Sequence, residues 1–450
     1  MASTERLSFR EKLAYGLGDT ASNFYFQFFN LFLVFYYTDI FGLAPLAVGT
    51  MMLVLRIFDA VIDPAVGLLA DRTSTRWGKF RPFLLWGAIP YGIVGYVMFL
   101  NPSLTQHGKL VYAYVTYGLM WVAYAAINIP YSALMGVMTP SSDQRTTLST
   151  YRFVCAFAGG FLIARLVIPL KNLLGRGNDA EGIRYTMLIF SVLSIALFIY
   201  TFANTRERVA PLADQRGSFR EDMLNMFRNR PWVALFFSGL FTLVNAAVRN
   251  GSIIYYFKYV VHDEAKFTLY TTSGFLALTA GAASAKLFLK MGDRRTLMIA
   301  LSVLNAVIIA SFFLVDPRSY TLLVVLNIVA NFVVGPTIPI IWSMYADTAD
   351  YGEWKFGRRT TGLVFSALVF SQKVGLAMGT GALGWLLAYY GFVANVDQSA
   401  FSSLGIRLLF SVIPAALALL GTFAIFFYPI TDLRMREIEA DLAQRKAVPA

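Results

Sequence analysis

Two carboxylates, Asp59 and Asp63, lie four residues apart in an otherwise apolar stretch of the chain, 45–70. In an α-helix this spacing places both side chains on one face, one turn apart. Inside a membrane each ionised carboxylate costs roughly 3 kcal/mol or more unless it is paired, protonated or hydrated. Close carboxylates hold a cation between them or share a proton, so the pair predicts a cation or proton site. Arg56 lies one turn before Asp59, and the alternative is a structural ion pair with that arginine.

The composition indicates that such stretches lie in a lipid bilayer. The chain has 450 residues, of which 57% are hydrophobic and 14% charged, and its mean hydropathy is +0.59. Soluble domains carry about 25% charged residues. The composition therefore argues against a soluble enzyme, a secreted disulfide scaffold and a disordered chain. Since a membrane helix needs roughly 20 apolar residues, the hydrophobic content is enough for about twelve of them.

Apolar stretches bounded by charged, glycine or proline residues recur twelve times along the chain. They are longer than the ~10-residue strands of membrane barrels and do not alternate polar with apolar residues. We therefore expect an all-α membrane protein with twelve transmembrane helices. The predicted spans are 15–41, 45–70, 83–101, 110–138, 152–174, 185–204, 232–260, 267–289, 296–315, 320–345, 360–390 and 405–428.

The basic residues favour one set of the connections between these spans. Roughly two dozen of them fall on the side of the N-terminus and about eight on the other side, which predicts that both termini are cytoplasmic. Because the net charge of +12 is spread over separate loops, we expect no nucleic-acid partner. The longest polar link suggests two pseudo-symmetric six-helix bundles. The predicted domains are an N-terminal bundle at 1–204, a cytoplasmic linker at 205–231, a C-terminal bundle at 232–430 and a cytoplasmic tail at 431–450.

Residues for enzymatic chemistry are not arranged in any recognisable site. Cys155 is the only cysteine and lies in an apolar stretch, which excludes disulfides and cysteine metal sites. His107 and His262 are far apart in polar connections and suggest no metal-ligand pair. The sequence contains no phosphate-binding loop of the GxxxxGK[ST] type, so ATP does not drive any transport. We expect a protein that is not an enzyme and needs no cofactor.

Four segments resemble known transporters. The run GLLADRTSTRWGKFR at 67–81 is similar to the loop signature of the major facilitator superfamily. Together with RIFDAVIDP at 56–64, RWGKFRP at 76–82 and ADTADYGE at 346–353, it resembles the glycoside–pentoside–hexuronide:cation symporters, the family of the melibiose permease. The similarity extends from residue 13 to about 430. It implies the major facilitator fold and secondary active uptake of a sugar or glycoside together with a cation.

The resemblance implies that Asp59 and Asp63 form the coupling-cation site. Relative to a sodium-coupled member of the family, this chain has Ile62 in place of asparagine and Ala125 in place of threonine. Both differences remove oxygen ligands that Na⁺, a hard cation, requires. We therefore expect H⁺ rather than Na⁺ as the coupling ion, although Na⁺ stays open.

The resemblance also implies a set of sugar-binding positions. Tyr124, Asn128 and Ser132 are spaced as one polar stripe on a helix, which suits the hydroxyls and faces of a sugar or, alternatively, bonds a neighbouring helix. Asn23 and Asn128 replace carboxylates of galactoside carriers, and Ser132 replaces a tryptophan. The implied substrate-binding residues are Ser22, Asn23, Tyr124, Asn128, Ser132, Arg152 and Lys373.

Arg249 adds a further cation to the predicted substrate-binding set, at a position that is usually apolar. With fewer carboxylates and the cations retained, the expected cavity is electropositive, which makes an acidic sugar such as a hexuronide a candidate beside neutral glycosides. Alternatively, Arg249 pairs with a carboxylate on a neighbouring helix or extends to the membrane surface.

Charged residues near the cytoplasmic helix ends predict a gate, with solvated surface charges as the alternative. The predicted gating residues are Arg56, Asp71, Arg72, Arg76, Asp347, Asp350, Glu353 and Arg358.

Two other functions remain open at this point. A lipid or lysolipid carrier of the same superfamily would have a lateral apolar opening in place of an enclosed polar site, and a non-transporting sensor would show no net flux. We expect a monomer in a bacterial inner membrane whose partners are the bilayer, a small sugar and the coupling cation.

Overall fold

The computed structural model describes residues 7–139, 142–208, 227–357 and 361–447. Within these ranges the secondary structure is helical, and a single bridge of extended backbone joins Thr75 to Gly78. The predicted all-α class is therefore confirmed.

The chain divides into two compact units, Met1–Asp214 with Val393–Val396 and Gln215–Phe392 with Asp397–Ala450. The described residues of the first unit form six long helices. They are α1 (Phe9–Leu31), α2 (Pro45–Arg72), α3 (Arg81–Val97), α4 (Gln106–Met138), α5 (Ser142–Gly175) and α6 (Asp179–Asn204). After α1 the chain continues through a short turn, Leu33–Phe35, and a π-helical turn, Tyr36–Ile40.

In the part of the second unit that the structure describes, six further long helical stretches precede the tail helix. They are α7 (Arg230–Tyr259), α8 (Lys266–Ala283), α9 (Arg294–Ser311), α10 in two pieces (Tyr320–Val334 and Thr337–Phe356), α11 (Thr361–Tyr389), α12 in two pieces (Ala400–Phe410 and Val412–Ile425) and α13 (Asp432–Ala447). Short helical turns at Ala285–Phe288 and Phe312–Leu314 extend α8 and α9.

The twelve predicted apolar stretches coincide with α1–α12. Among the described residues, eight helical stretches are long and apolar enough to cross a membrane. Large apolar side chains on the helices face outward; Val61 is 70% exposed and Leu314 is 84% exposed. Extensive exposed apolar surface of this kind suits contact with lipid.

Helices α1 and α5 approach each other closely because two glycines lie at their contact. A Cβ on Gly16 would lie 2.8 Å from the Cys155 sulfur, and one on Gly159 would lie 2.9 Å from the Thr20 carbonyl oxygen. The Thr20 hydroxyl donates to the Cys155 carbonyl at 2.8 Å. This packing fixes the position of α1 side chains relative to those of α5.

The tail helix α13 packs on the second unit. Its residues Met435, Ile438 and Leu442 are buried in a cluster that includes Met344 and Tyr428. The apolar side chains recur at intervals of three and four residues, the spacing of one helical face. The predicted tail is thus a packed helix within the described residues.

Candidate functional site

A cluster of polar side chains lies on three helices of the first unit, and we call it the polar face. Its members are Asp19 and Asn23 on α1, Tyr124, Asn128 and Ser132 on α4, and Arg152 on α5. Asn23, Tyr124, Asn128 and Arg152 are half-buried and Ser132 is exposed. The polar face is therefore accessible and anchored in a packed bundle.

An ion pair stands at the centre of the polar face. The Arg152 Nε donates to Asp19 Oδ2 at 2.8 Å, and Nη2 donates to the Ser132 hydroxyl at 3.3 Å. The guanidinium also lies 5.1 Å from the centre of the Tyr131 ring, a cation–π contact. These contacts neutralise Arg152 and fix its orientation.

Sequence reasoning missed Asp19. It lies four residues before Asn23, so the two side chains share one face of α1. The Asn23 side-chain amide donates to the Asp19 carbonyl at 2.9 Å. The sequence signal that could have identified Asp19 is its spacing, since it places a carboxylate one helical turn from the predicted sugar-binding residue Asn23.

The side-chain amide of Asn128 forms hydrogen bonds through both its oxygen and its nitrogen. Ser22 is fully buried and donates to Asn128 Oδ1 at 2.8 Å, while Asn128 Nδ2 donates to the Tyr124 carbonyl at 3.1 Å. The Ser22 hydroxyl orients Asn128 and has no open surface in this structure, and its substrate-binding role stays a prediction. The stripe on α4 thus makes a helix–helix bond and also presents accessible polar groups.

The predicted coupling carboxylates lie in the unbroken helix α2. Asp59 is 1% exposed and Asp63 is half-buried. Arg56 is also buried, and its guanidinium carbon lies 3.8 Å from the centre of the Trp121 ring on α4. Arg56 lies one turn before Asp59 and about four turns before Arg72, and its gating role stays a prediction.

Two residues near this carboxylate pair, Ile62 and Ala125, have no side-chain oxygen that could bind a cation. Ala125 is buried on α4, one turn after Trp121, and Ile62 is half-buried on α2. Among the described residues, no group of three or more His, Cys, Asp or Glu side chains is placed to hold a metal ion.

Arg249 lies inside the second unit. It is buried, and it donates to the Phe410 carbonyl at 3.0 Å and to the Tyr270 hydroxyl at 3.1 Å. Its guanidinium carbon lies 4.8 Å from the Phe312 ring and 5.2 Å from the Phe410 ring. Among the described residues no carboxylate forms an ion pair with Arg249, and its substrate-binding role stays a prediction. Lys373 is half-buried on α11.

The predicted gating residues divide among several environments. In the second unit Asp347 Oδ2 accepts from Arg294 at 2.8 Å, and Arg294 also pairs with Asp432 at the start of α13. Asp350 and Glu353 are half-buried on α10.

In the first unit the predicted gating residues Arg72 and Arg76 are exposed, and the Arg76 guanidinium carbon lies 4.6 Å from the centre of the Trp77 ring. The Asp71 side chain and Arg358 lie outside the described residues.

Glu207 is a second residue that sequence reasoning missed. Its carboxylate accepts the backbone N–H groups of Lys79, Phe80 and Arg81 at 2.9, 2.7 and 2.9 Å. These N–H groups begin α3 and have no partner within the helix, and a carboxylate also suits the positive end of the helix dipole. Glu207 thereby ties the end of α6 to the loop before α3.

Comparisons with known proteins support a transporter. Residues 14–432 match the family described as MFS/sugar transport protein. Inner membrane symporter YicJ of Escherichia coli is 39% identical, over 98% of this chain and 96% of YicJ. The putative glycoside/cation symporter YagG of the same organism is 36% identical, over 99% and 98%. The glucuronide carrier protein homolog of E. coli is 33% identical, over 99% and 97%.

A solved structure shows the same fold at low sequence identity. A bacterial homolog of the human lysosomal transporter Spinster superposes with a TM-score of 0.67 at 13% identity, covering 96% of this chain and 97% of that one. The predicted major facilitator fold and the resemblance to sugar–cation symporters are thereby confirmed. The chain is an integral, multi-pass membrane protein that belongs to the MFS/sugar transport protein family.

Proposed function

We propose that this protein is a secondary active symporter that couples uptake of a sugar or glycoside to an inward cation gradient, with H⁺ favoured over Na⁺. Its membrane is the bacterial inner membrane, with both termini cytoplasmic. The similarity to YicJ, an inner membrane symporter, and to YagG, a putative glycoside/cation symporter, supports this proposal.

The observation that carries the proposal is the buried carboxylate of Asp59. Asp59 is 1% exposed in a membrane helix, one turn from Asp63. A charge buried in a medium of low dielectric constant is costly unless a counter-charge, a bound cation or a proton neutralises it. Binding a cation or a proton at this pair relieves that cost, so occupancy of the site changes the free energy of burying these side chains.

Proton coupling is favoured by the ligands available beside this pair. Ile62 and Ala125 supply no side-chain oxygen. A hard cation such as Na⁺ needs several oxygen ligands, whereas a proton needs one carboxylate oxygen. Coupling then requires that substrate and proton each tighten the binding of the other.

The polar face is the proposed contact for the sugar in the first unit. Amide, hydroxyl and guanidinium groups of Asn128, Ser132 and Arg152 match sugar hydroxyls, and the ring of Tyr124 matches a sugar face. A lipid path needs a lateral apolar opening, whereas the polar face presents hydrogen-bonding groups on three helices, so this face favours a sugar over a lipid.

Transport by variants in proteoliposomes tests the proposal. Asp59→Asn should abolish accumulation against a gradient and retain exchange of labelled for unlabelled substrate, because it removes the coupling group and leaves the polar face intact. Asp39→Asn is the matched control, since Asp39 is a buried carboxylate at the end of the first helical stretch. Undiminished accumulation by Asp59→Asn would refute the coupling role.

A further inference from the structure

We propose that Asp19 determines substrate specificity: by neutralising Arg152, it makes the polar face selective for neutral glycosides over acidic sugars. This inference rests on the proposed function. It names the substrate class of the same site, which the sequence left open between neutral and acidic.

The expectation of an electropositive cavity depended on cations without carboxylate partners. Arg152 has a partner, because Asp19 lies 2.8 Å from its Nε. Arg249 is enclosed within the second unit by the Phe410 carbonyl and the Tyr270 hydroxyl. Lys373 has an interaction of its own and is not a free cation. Arg152, the cation of the polar face, is therefore paired with a carboxylate, and Arg249 is enclosed rather than presented at that face.

The geometry of the pair suits a hydroxyl better than a carboxylate. Arginine presents five N–H donors, of which Asp19 and Ser132 use one each. The remaining donors and the acceptor oxygens of Asp19 stand side by side, and a sugar hydroxyl is both donor and acceptor. A substrate carboxylate instead prefers two parallel N–H bonds from the guanidinium, which places it beside the negative charge of Asp19.

Close packing prevents Asp19 from withdrawing to admit an anion. The backbones of α1 and α5 touch at Gly16 and Gly159, where a Cβ would approach neighbouring atoms to 2.8 and 2.9 Å. The Thr20 hydroxyl, next in sequence, is bonded to the Cys155 carbonyl. The carboxylate is therefore a fixed part of the polar face, with its side chain 12% exposed.

The test uses paired probes, methyl glycosides and the corresponding methyl hexuronides, which differ in the carboxylate alone. Wild-type protein in proteoliposomes should accumulate the neutral member of a pair in preference. Asp19→Asn should shift the ratio of acidic to neutral uptake at least about tenfold toward the acid, because each hydrogen bond to a charged group is worth more than that factor. Asp19→Glu keeps the charge and should keep the neutral preference.

Two further variants separate specificity from folding. Arg152→Gln removes the cation and should shift the ratio in the opposite direction, which a packing defect would not do. Glu181→Gln is the matched control, since Glu181 pairs with Arg184 on the surface of the same unit at 2.7 Å. It should leave the ratio unchanged.

The outcomes distinguish this inference from the proposed function. Wild-type vesicles that accumulate hexuronides in preference to neutral glycosides would overturn the role of Asp19 and leave symport intact. An equal loss of both substrates in Asp19→Asn and Arg152→Gln would also overturn it. Vesicles that accumulate neither class under either cation gradient would contradict the proposed function, and this inference with it.

Discussion

The carboxylate of Glu207 lies directly against Gly78: a Cβ on that glycine would come within 2.5 Å of the Glu207 Cδ. Gly78 has φ +110°, a conformation that side chains disfavour. The loop therefore needs a residue without a side chain both for its backbone angle and for its contact with Glu207. The contact joins the RWGKFRP segment to the end of α6.

Removal of the Glu207 carboxylate should destabilise the first unit. Glu207→Ala leaves the N–H groups of Lys79, Phe80 and Arg81 without their acceptor, which should cost about 2 kcal/mol. Glu207→Gln keeps an oxygen and should cost less. Thermal unfolding in detergent measures the difference, with Glu181→Gln as a control that should cost about 0–1 kcal/mol. Equal melting temperatures for Glu207→Ala and the wild type would refute the anchoring role.

Gly78→Ala should be as damaging as Glu207→Ala, because it adds backbone strain and a collision with the carboxylate. In the double variant the collision is gone, whereas the backbone strain and the loss of the Glu207 acceptor both remain. The double variant should thus lose less stability than the sum of the two single variants. Melting temperatures of the four proteins check this, and strict additivity would show that the two residues do not interact.

The contact between Arg56 and Trp121 should stabilise the buried part of α2. Trp121→Leu removes the ring face over which the guanidinium lies at 3.8 Å, and should cost about 2 kcal/mol or more because both groups are desolvated. Trp86→Leu is the control, since Trp86 is exposed on α3. A Trp121 variant that melts no earlier than the Trp86 variant would contradict this assignment.

Packing of the tail helix can be tested within the helix itself. Ile438 is 1% exposed, whereas Leu433 on the same helix is 69% exposed. Ile438→Ala should cost about 2–5 kcal/mol, the usual range for a buried aliphatic side chain, and Leu433→Ala should cost little. A protease-protection assay of the tail provides the measurement. Equal cleavage of the two variants would mean that the tail does not depend on this packing.

The sequence was sufficient to predict the helices, but it was insufficient to predict which groups the individual side chains contact. The stretch 45–70 predicts α2, because a helix is one of the few structures in which an apolar segment of that length can satisfy its backbone hydrogen bonds in a bilayer. Asp19 and Glu207 were missed because their partners, Arg152 and the N-terminal amides of α3, lie more than a hundred residues away. Local spacing carries no information about such contacts.

The placement of Arg249 illustrates the same limit. Its sequence context shows a cation in an apolar helix, which predicts either a functional group or an ion pair. The second unit instead satisfies it with a carbonyl, a hydroxyl and two aromatic rings. That solution depends on α8, α9 and α12 meeting at one point, which the spacing of residues in α7 does not encode. The roles of Asp59 and Asp63 stay predictions.

Proton movement driven by sugar tests the central claim most directly. A neutral glycoside is added to weakly buffered proteoliposomes without an imposed gradient, and the external pH is recorded. We predict that the medium becomes more alkaline as substrate enters, that Asp59→Asn abolishes this change, and that Asp39→Asn retains it. Sugar entry that leaves the external pH unchanged and depends on an inward Na⁺ gradient would refute proton coupling through Asp59.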